Sequence, residues 1–181
     1  EETLVIIDVL NNDSDTESIL DPSTVIIAGD PLNGSITDIN STTGEITYTP
    51  DLNFSGTDQF FYTVDDDGGA TSNTATVTIV IDPINDPPVV ADILDQTISE
   101  GEIFTTINLD DFVSDADDPD SLIAWTWTGN SDLSVTLDGS RIATIGIPNE
   151  NWNGNESIVF TATDQLNEFD SDTATFTVTP V

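Results

Sequence analysis

The sequence predicts an all-β fold: two β-sandwich modules in tandem, residues 1–84 and 85–181, joined by a short Pro-rich linker. Three observations predict it. Thr, Val, Ile and aromatic residues alternate with polar ones in short runs, the two-residue period of half-buried strands. No stretch shows the 3.6-residue period of an amphipathic helix. The two halves of the chain also repeat one another, and each is of a size at which sandwiches fold as single units.

Strands are expected in the first half at residues 3–10, 24–29, 34–39, 44–50, 58–65 and 74–82, and in the second at 102–109, 122–129, 134–139, 141–148, 156–164 and 173–180. Asp, Asn and Gly clusters separate them, as turns require. The repeat is plainest where PDLNFSGTDQFFYTVDD (50–66) lies over PNENWNGNESIVFTATD (148–164). There Phe54 pairs with Trp152, Gly56 with Gly154, Asp58 with Glu156 and Asp66 with Asp164, all 98 residues apart. Upstream, NNDSD (11–15) matches VSDAD (113–117), pairing Asp13 with Asp115 and Asp15 with Asp117; downstream, TATVTI matches TATFTV. Between the modules runs DPINDPPVV (82–90), whose three prolines hold it extended and stiff.

Charge narrows the function. The chain carries 35 acidic groups against one basic residue, Arg141, and has no His, Lys or Cys, for a formal net charge of -34. Nucleic acid and anionic membrane are excluded as partners, because binding them needs Lys and Arg to neutralise phosphates. Self-repulsion on this scale loosens a compact state unless cations gather. Disulfides and Lys–Asn cross-links are impossible, which leaves metal ions as the candidate staple. No apolar run approaches the ~20 residues of a membrane span and no signal peptide is seen. The sequence therefore reads as a monomeric piece from within a longer secreted chain.

The acidic residues concentrate in the expected loops. Calcium takes six to eight hard oxygen ligands from short carboxylates, carbonyls and water. Asp at alternate turn positions, as in NDSD, DADDPD and DDDGG, aims several oxygens inward, although none of these has the full EF-hand pattern. A site assembled from separate loops suits them better. Taken singly, each cluster reads equally well as an ordinary solvated turn. Halophilic adaptation would spread acid over the strand faces as well.

At this level the sequence resembles the bacterial cadherin-like tandem repeats of large surface adhesins and secreted polysaccharide-associated proteins. The first half matches the type reading DVLxND, GxITYTP and NFxGTDxFxYTVxDxxG; the second matches a sister type with DQTISEGE, FVSDADDPDS, WNGxExIxFTATD and DTATFTVT. The resemblance implies Greek-key, Ig-like or cadherin-like sandwiches with calcium at the junction. Its ligands would be Asp58, then Asp82, Asn85 and Asp86 in the linker, then Asp115, Asp117 and Asp164. The matched loops add Asp13, Asp15, Asp66 and Glu156, and the SEGE turn adds Glu100. In the linker, Asp82 and Asn85 are three apart rather than two, and Pro87 stands where a second Asn would follow.

Trp125 and Trp127 share a strand face with Ile123 and are expected in the core, and Trp152, in the slot of Phe54, is expected to anchor a loop. A sugar-stacking role for these rings is the alternative. Catalysis would have to rest on a carboxylate pair flanking a cleft, which small sandwiches seldom supply. Arg141 is read as a structural partner of a nearby acid. The expected role is a non-catalytic, calcium-binding spacer of an extracellular, cell-surface protein. Its partners would be neighbouring repeats, and the alternative is a calcium-dependent carbohydrate- or protein-binding module.

Overall fold

The computed structural model describes all 181 residues, and the chain divides into two compact units, Glu1–Ile84 and Asn85–Val181. In the first unit, β1 (Val5–Ile7), β4 (Ile46–Pro50) and β3 (Gly34–Ile39) form one sheet in the order β1-β4-β3. The other sheet is β2 (Leu20–Gly29), β5 (Gly56–Asp66) and β6 (Ala75–Ile81), in that order. Alternation decides what is buried. Phe60, Tyr62 and Val64 of β5 point inward onto Val9, Val25 and Ile46, while Phe61 faces out. Strand β2 carries a bulge between Asp21 and Ile26, because Pro22 has no N–H for the ladder. The Thr24 hydroxyl bridges the gap, donating to the Asp21 carbonyl and accepting from Asp65 N–H at 2.8 Å.

The second unit repeats this plan with additions. Short strands β7 (Val89–Val90) and β10 (Val113–Ser114) pair with each other, and β12 (Ser134–Leu137), β13 (Ile142–Gly146) and β9 (Ile107–Asn108) form one sheet. The facing sheet has four strands, β11 (Ala124–Thr128), β14 (Gly154–Thr163), β15 (Phe169–Thr179) and β8 (Gln96–Ser99). Strand β8 is parallel to β15, whereas every other pairing is antiparallel. The core gathers 17 buried residues, against 6 in the main cluster of the first unit. Phe176 sits at its centre, edge-on to Phe104 at 5.2 Å and to Phe160 at 6.5 Å between ring centres.

Where sequence and structure differ, local chemistry explains it. Residues 102–106 are not strand, and a short 3-10 helix, Leu109–Phe112, follows β9 directly. Strands β7, β8 and β10 lie outside the expected runs, being only two to four residues long and too short to show a period. Trp125 is buried as expected, but Trp127 is only partly so, since β11 is the edge strand and ends one residue later. Arg141, in left-handed backbone at φ 57°, pairs with Asp110, its Nη2 2.6 Å from Oδ2.

Trp125→Ala should destabilise the second unit by about 3–5 kcal/mol, the cost of emptying a large aromatic site in a close-packed core. Denaturant unfolding followed by circular dichroism checks it.

Candidate functional site

Carboxylates organise both ends of each sandwich. At one end of the first unit Asp58, on β5, lies beneath the loop between β2 and β3 and is only 3% exposed. It accepts the backbone N–H groups of Leu32 (3.1 Å), Asn33 (3.0 Å) and Gln59 (2.8 Å) and the Tyr48 hydroxyl (2.9 Å). Gly34 makes room for this, because a Cβ there would run into the Tyr48 ring. Glu156 does the same work on β14, taking the N–H groups of Ser131, Asp132 and Leu133 at 2.9, 2.7 and 3.2 Å. Burial pushes both groups up, but the converging donors outweigh it and hold them below the usual carboxylate range.

At the other end, Asp15 accepts the N–H of Glu17 and Ser18, and Asp66 accepts those of Gly68 and Ala70 together with the Ser18 hydroxyl. The second unit copies each turn. Asp115 accepts Asp117 and Asp118 N–H at 2.8 Å, and Asp164 accepts Leu166 and Glu168 N–H at 2.8 Å. These bonds pair Asp15 with Asp115 and Glu17 with Asp117. The sequence pairing of Asp13 with Asp115 therefore slips by two residues. Asp13 instead accepts the Tyr62 hydroxyl at 2.7 Å.

Around the second unit's turns the start of its own chain is tied down. Asn85 donates its amide to Asp164 at 2.7 Å and to Glu168 at 3.2 Å, and Asp86 N–H donates to Asp117 at 2.8 Å. The Asn85 amide, followed by the N–H groups of residues 166–168, holds Asp164 below its ordinary range although it is only 5% exposed. Asp15 is lowered by the N–H of Glu17, and Asp66 by that of Ala70 against repulsion from Asp15.

Of the expected ligands, Asn85 is bonded to Asp164 and Asp86 to Asp117, whose own N–H is bonded to Asp115, in the second unit, and Asp15 and Asp66 share Ser18 in the first. Asp58 and Glu156 are loop latches. With four donors on two oxygens, Asp58 has no lone pair left for a cation. Glu100 is bonded to the Asn153 amide and Val181 N–H, and the Asp82 carbonyl accepts the amino group of Glu1.

The oxygen-only donor set is right in kind for calcium. No three carboxylates stand in metal-holding arrangement as they lie. Two carboxylate oxygens nevertheless lie buried with no donor, Asp115 Oδ2 and Glu1 Oε1. Such an oxygen bears an uncompensated desolvation cost until a hydrogen-bond donor or a cation reaches it. Sequence reasoning passed over Glu1 and Glu168. Glu1 is recoverable from the repeat, since it accepts Ile84 N–H as Glu100 accepts Val181 N–H.

A family model described as "Bacterial cadherin-like domain" matches residues 1–83, and one described as "Bacterial Ig domain" matches residues 85–179. Among solved structures, human protocadherin-24 EC1-2 is similar at 15% identity with TM-score 0.52, covering 92% of this chain and 84% of that one. Protocadherin gamma B2 domains 3-6 are similar at 14% identity with TM-score 0.54, covering 91% and 40%. At such identities the likeness concerns the fold. An endo-fucoidan hydrolase of glycoside hydrolase family 107 aligns at 18% identity and TM-score 0.41 over 91% of this chain. This chain spans 24% of that hydrolase's length and 40% of the length of the protocadherin gammaB7 EC3-6 structure. No curated protein matches the chain.

Asp58→Asn should destabilise the first unit by about 1–3 kcal/mol at neutral pH, since the amide swaps an acceptor for a donor facing N–H groups. Because the folded-state pKa of Asp58 is depressed, the wild-type advantage is full above pH ~4 and fades as pH falls through the lower folded value. Urea midpoints of both proteins between pH 7 and 2.5 check the convergence.

Proposed function

Because this chain belongs to the bacterial cadherin-like and bacterial Ig families, one module of each in tandem, we propose that it is a non-catalytic, calcium-binding spacer of a larger extracellular protein. The observation that carries the reading is Asp115 Oδ2, buried without a donor in a turn whose other oxygen is fully used. Asp117, Asp86 and Asp164 are tied into the same network through the start of the second unit. Calcium, when bound, supplies positive charge to this group.

Each residue then has a distinct task. Asp115 keeps its turn closed with Oδ1 and offers Oδ2 as a ligand. Asp117 and Asp86 add oxygens on either side of the hydrogen bond between them. Asn85 and Asp164 hold the Pro87–Pro88 segment against the second unit, so that ion binding stiffens the segment joining the modules. A matching network of Asp15, Asp66 and Ser18 serves the first unit. Neighbouring repeats are the natural partners of such a spacer.

No helix in the chain is long and apolar enough to cross a membrane. The glycan-binding alternative loses its main platform, because Trp125 is buried and Trp127 and Trp152 pack against the core.

Melting in millimolar calcium and in EDTA, at equal ionic strength, tests the proposal. Stabilisation should reach about 2.7 kcal/mol at a hundredfold excess over Kd. Asp115→Asn keeps the Oδ1 acceptor but removes the buried charge. It should melt no lower than wild type in EDTA and lose most of the calcium increment. Small-angle scattering should show a narrower distribution of lengths with calcium than without. Identical melting of the wild type in both conditions would overturn the reading.

A further inference from the structure

On the outer face of the first unit, the loop between β2 and β3 and the first half of β5 bound a pocket of about 450 Å³. Its floor follows from alternation. Asp58 and Phe60 of β5 are buried in the sandwich, so Thr57, Gln59 and Phe61 point outward. Phe61 stands opposite Gly29 of β2 and leans over it, where a Cβ would come within 2.8 Å of the ring. Glycine there lets the ring settle onto the sheet, and Phe61 remains 38% exposed.

The wall is fixed by the Asp58 latch. Asp58 takes the N–H groups of Leu32 and Asn33, which sets both side chains at the margin of the pocket and leaves Leu32 88% exposed. A loop held in this way has little freedom to lose when something binds. Polar groups flank the ring. The Asp30 carboxylate, the Asn33 side-chain amide and the Thr57 hydroxyl line the pocket and make no hydrogen bond within the chain, while Gln59 uses only its Nε2, on Thr78. Covering Gly29 accounts for one side of Phe61, but it does not account for the unused hydrogen-bonding groups around the ring.

We propose that this pocket binds an uncharged saccharide, with a pyranose ring against Phe61 and its hydroxyls bonded to Asp30, Asn33, Thr57 and Gln59. A pyranose presents a face of C–H groups and a rim of hydroxyls that both donate and accept. The C–H face suits the negative face of an aromatic ring. The hydroxyl rim suits a set that combines carboxylate and amide-carbonyl acceptors with amide and hydroxyl donors. The volume falls within the range of small-ligand pockets, about 300–1,000 Å³. Charge selects against acidic sugars, because the pocket offers no cation and the chain carries a formal net charge of -34. The pocket lies in the first unit, whereas all three Trp residues lie in the second, and the inference rests on neither calcium nor the spacer reading.

The test titrates the full chain, labelled for NMR and kept in EDTA, with tetrasaccharides of cellulose, mannan, galactan and xylan, and with an alginate tetrasaccharide as the acidic counterpart. Amides of residues 29–33 and 57–61 should shift with at least one neutral probe. Phe61→Leu keeps Gly29 covered but removes the ring face, and should weaken that binding by about tenfold or more. Thr57→Val keeps the shape of an exposed side chain, so the fold is preserved, and should weaken it by about threefold or more. No shift with any neutral probe overturns the proposal. So does binding that both variants leave intact, or alginate binding as tightly as the neutral sugars. Tetralysine shifting the same amides more strongly than every saccharide also overturns it, because the pocket would then serve a basic partner. With EDTA present throughout, failure of calcium binding elsewhere in the chain leaves these outcomes unchanged.

Discussion

A carboxylate in this chain has one guanidinium to turn to, and Asp110 holds it. All the other acids must find compensation elsewhere, and in the folded protein much of it comes from backbone N–H groups. The loop between β2 and β3 is pinned to Asp58, that between β11 and β12 to Glu156, and the turns at the other ends of the sandwiches close on Asp15, Asp66, Asp115 and Asp164. Charge-assisted bonds of this kind are roughly twice as strong as neutral ones. The repulsive charge of the chain and the fixity of its loops therefore come from the same atoms.

Saturation separates structural acids from those with capacity to spare. Asp58 is filled by four donors, whereas Asp115 is filled on one oxygen and bare on the other. A cation of high charge and loose geometry suits the second case and has no foothold in the first. Asn85 contributes differently: its neutral amide donates to Asp164 and Glu168 together, lessening their mutual repulsion without an ion.

The two units show how one strand alters a sandwich. Strand β8 extends the sheet of the second unit, and beneath it Phe176 stacks edge-on with two other rings in a core of 17 buried residues. The first unit has the same two layers and a Tyr62 hydroxyl bonded to the Val9 carbonyl, but its β6 edge leaves apolar atoms in water.

The sequence by itself determined the all-β class, the tandem repeat and most of the longer strands, because a two-residue period and a 98-residue offset are local properties that survive without coordinates. It also placed Trp125 in the core. Only the tertiary structure decided which acids are latches, since whether Asp58 meets a cation or three N–H groups depends on a loop some 25 residues away in sequence. It alone corrected the partner of Asp115 from Asp13 to Asp15, because two nearby acids in each loop look alike until their hydrogen bonds are drawn. The parallel strand β8 was likewise illegible: four residues carry no period, and its partner lies 80 residues further along the chain.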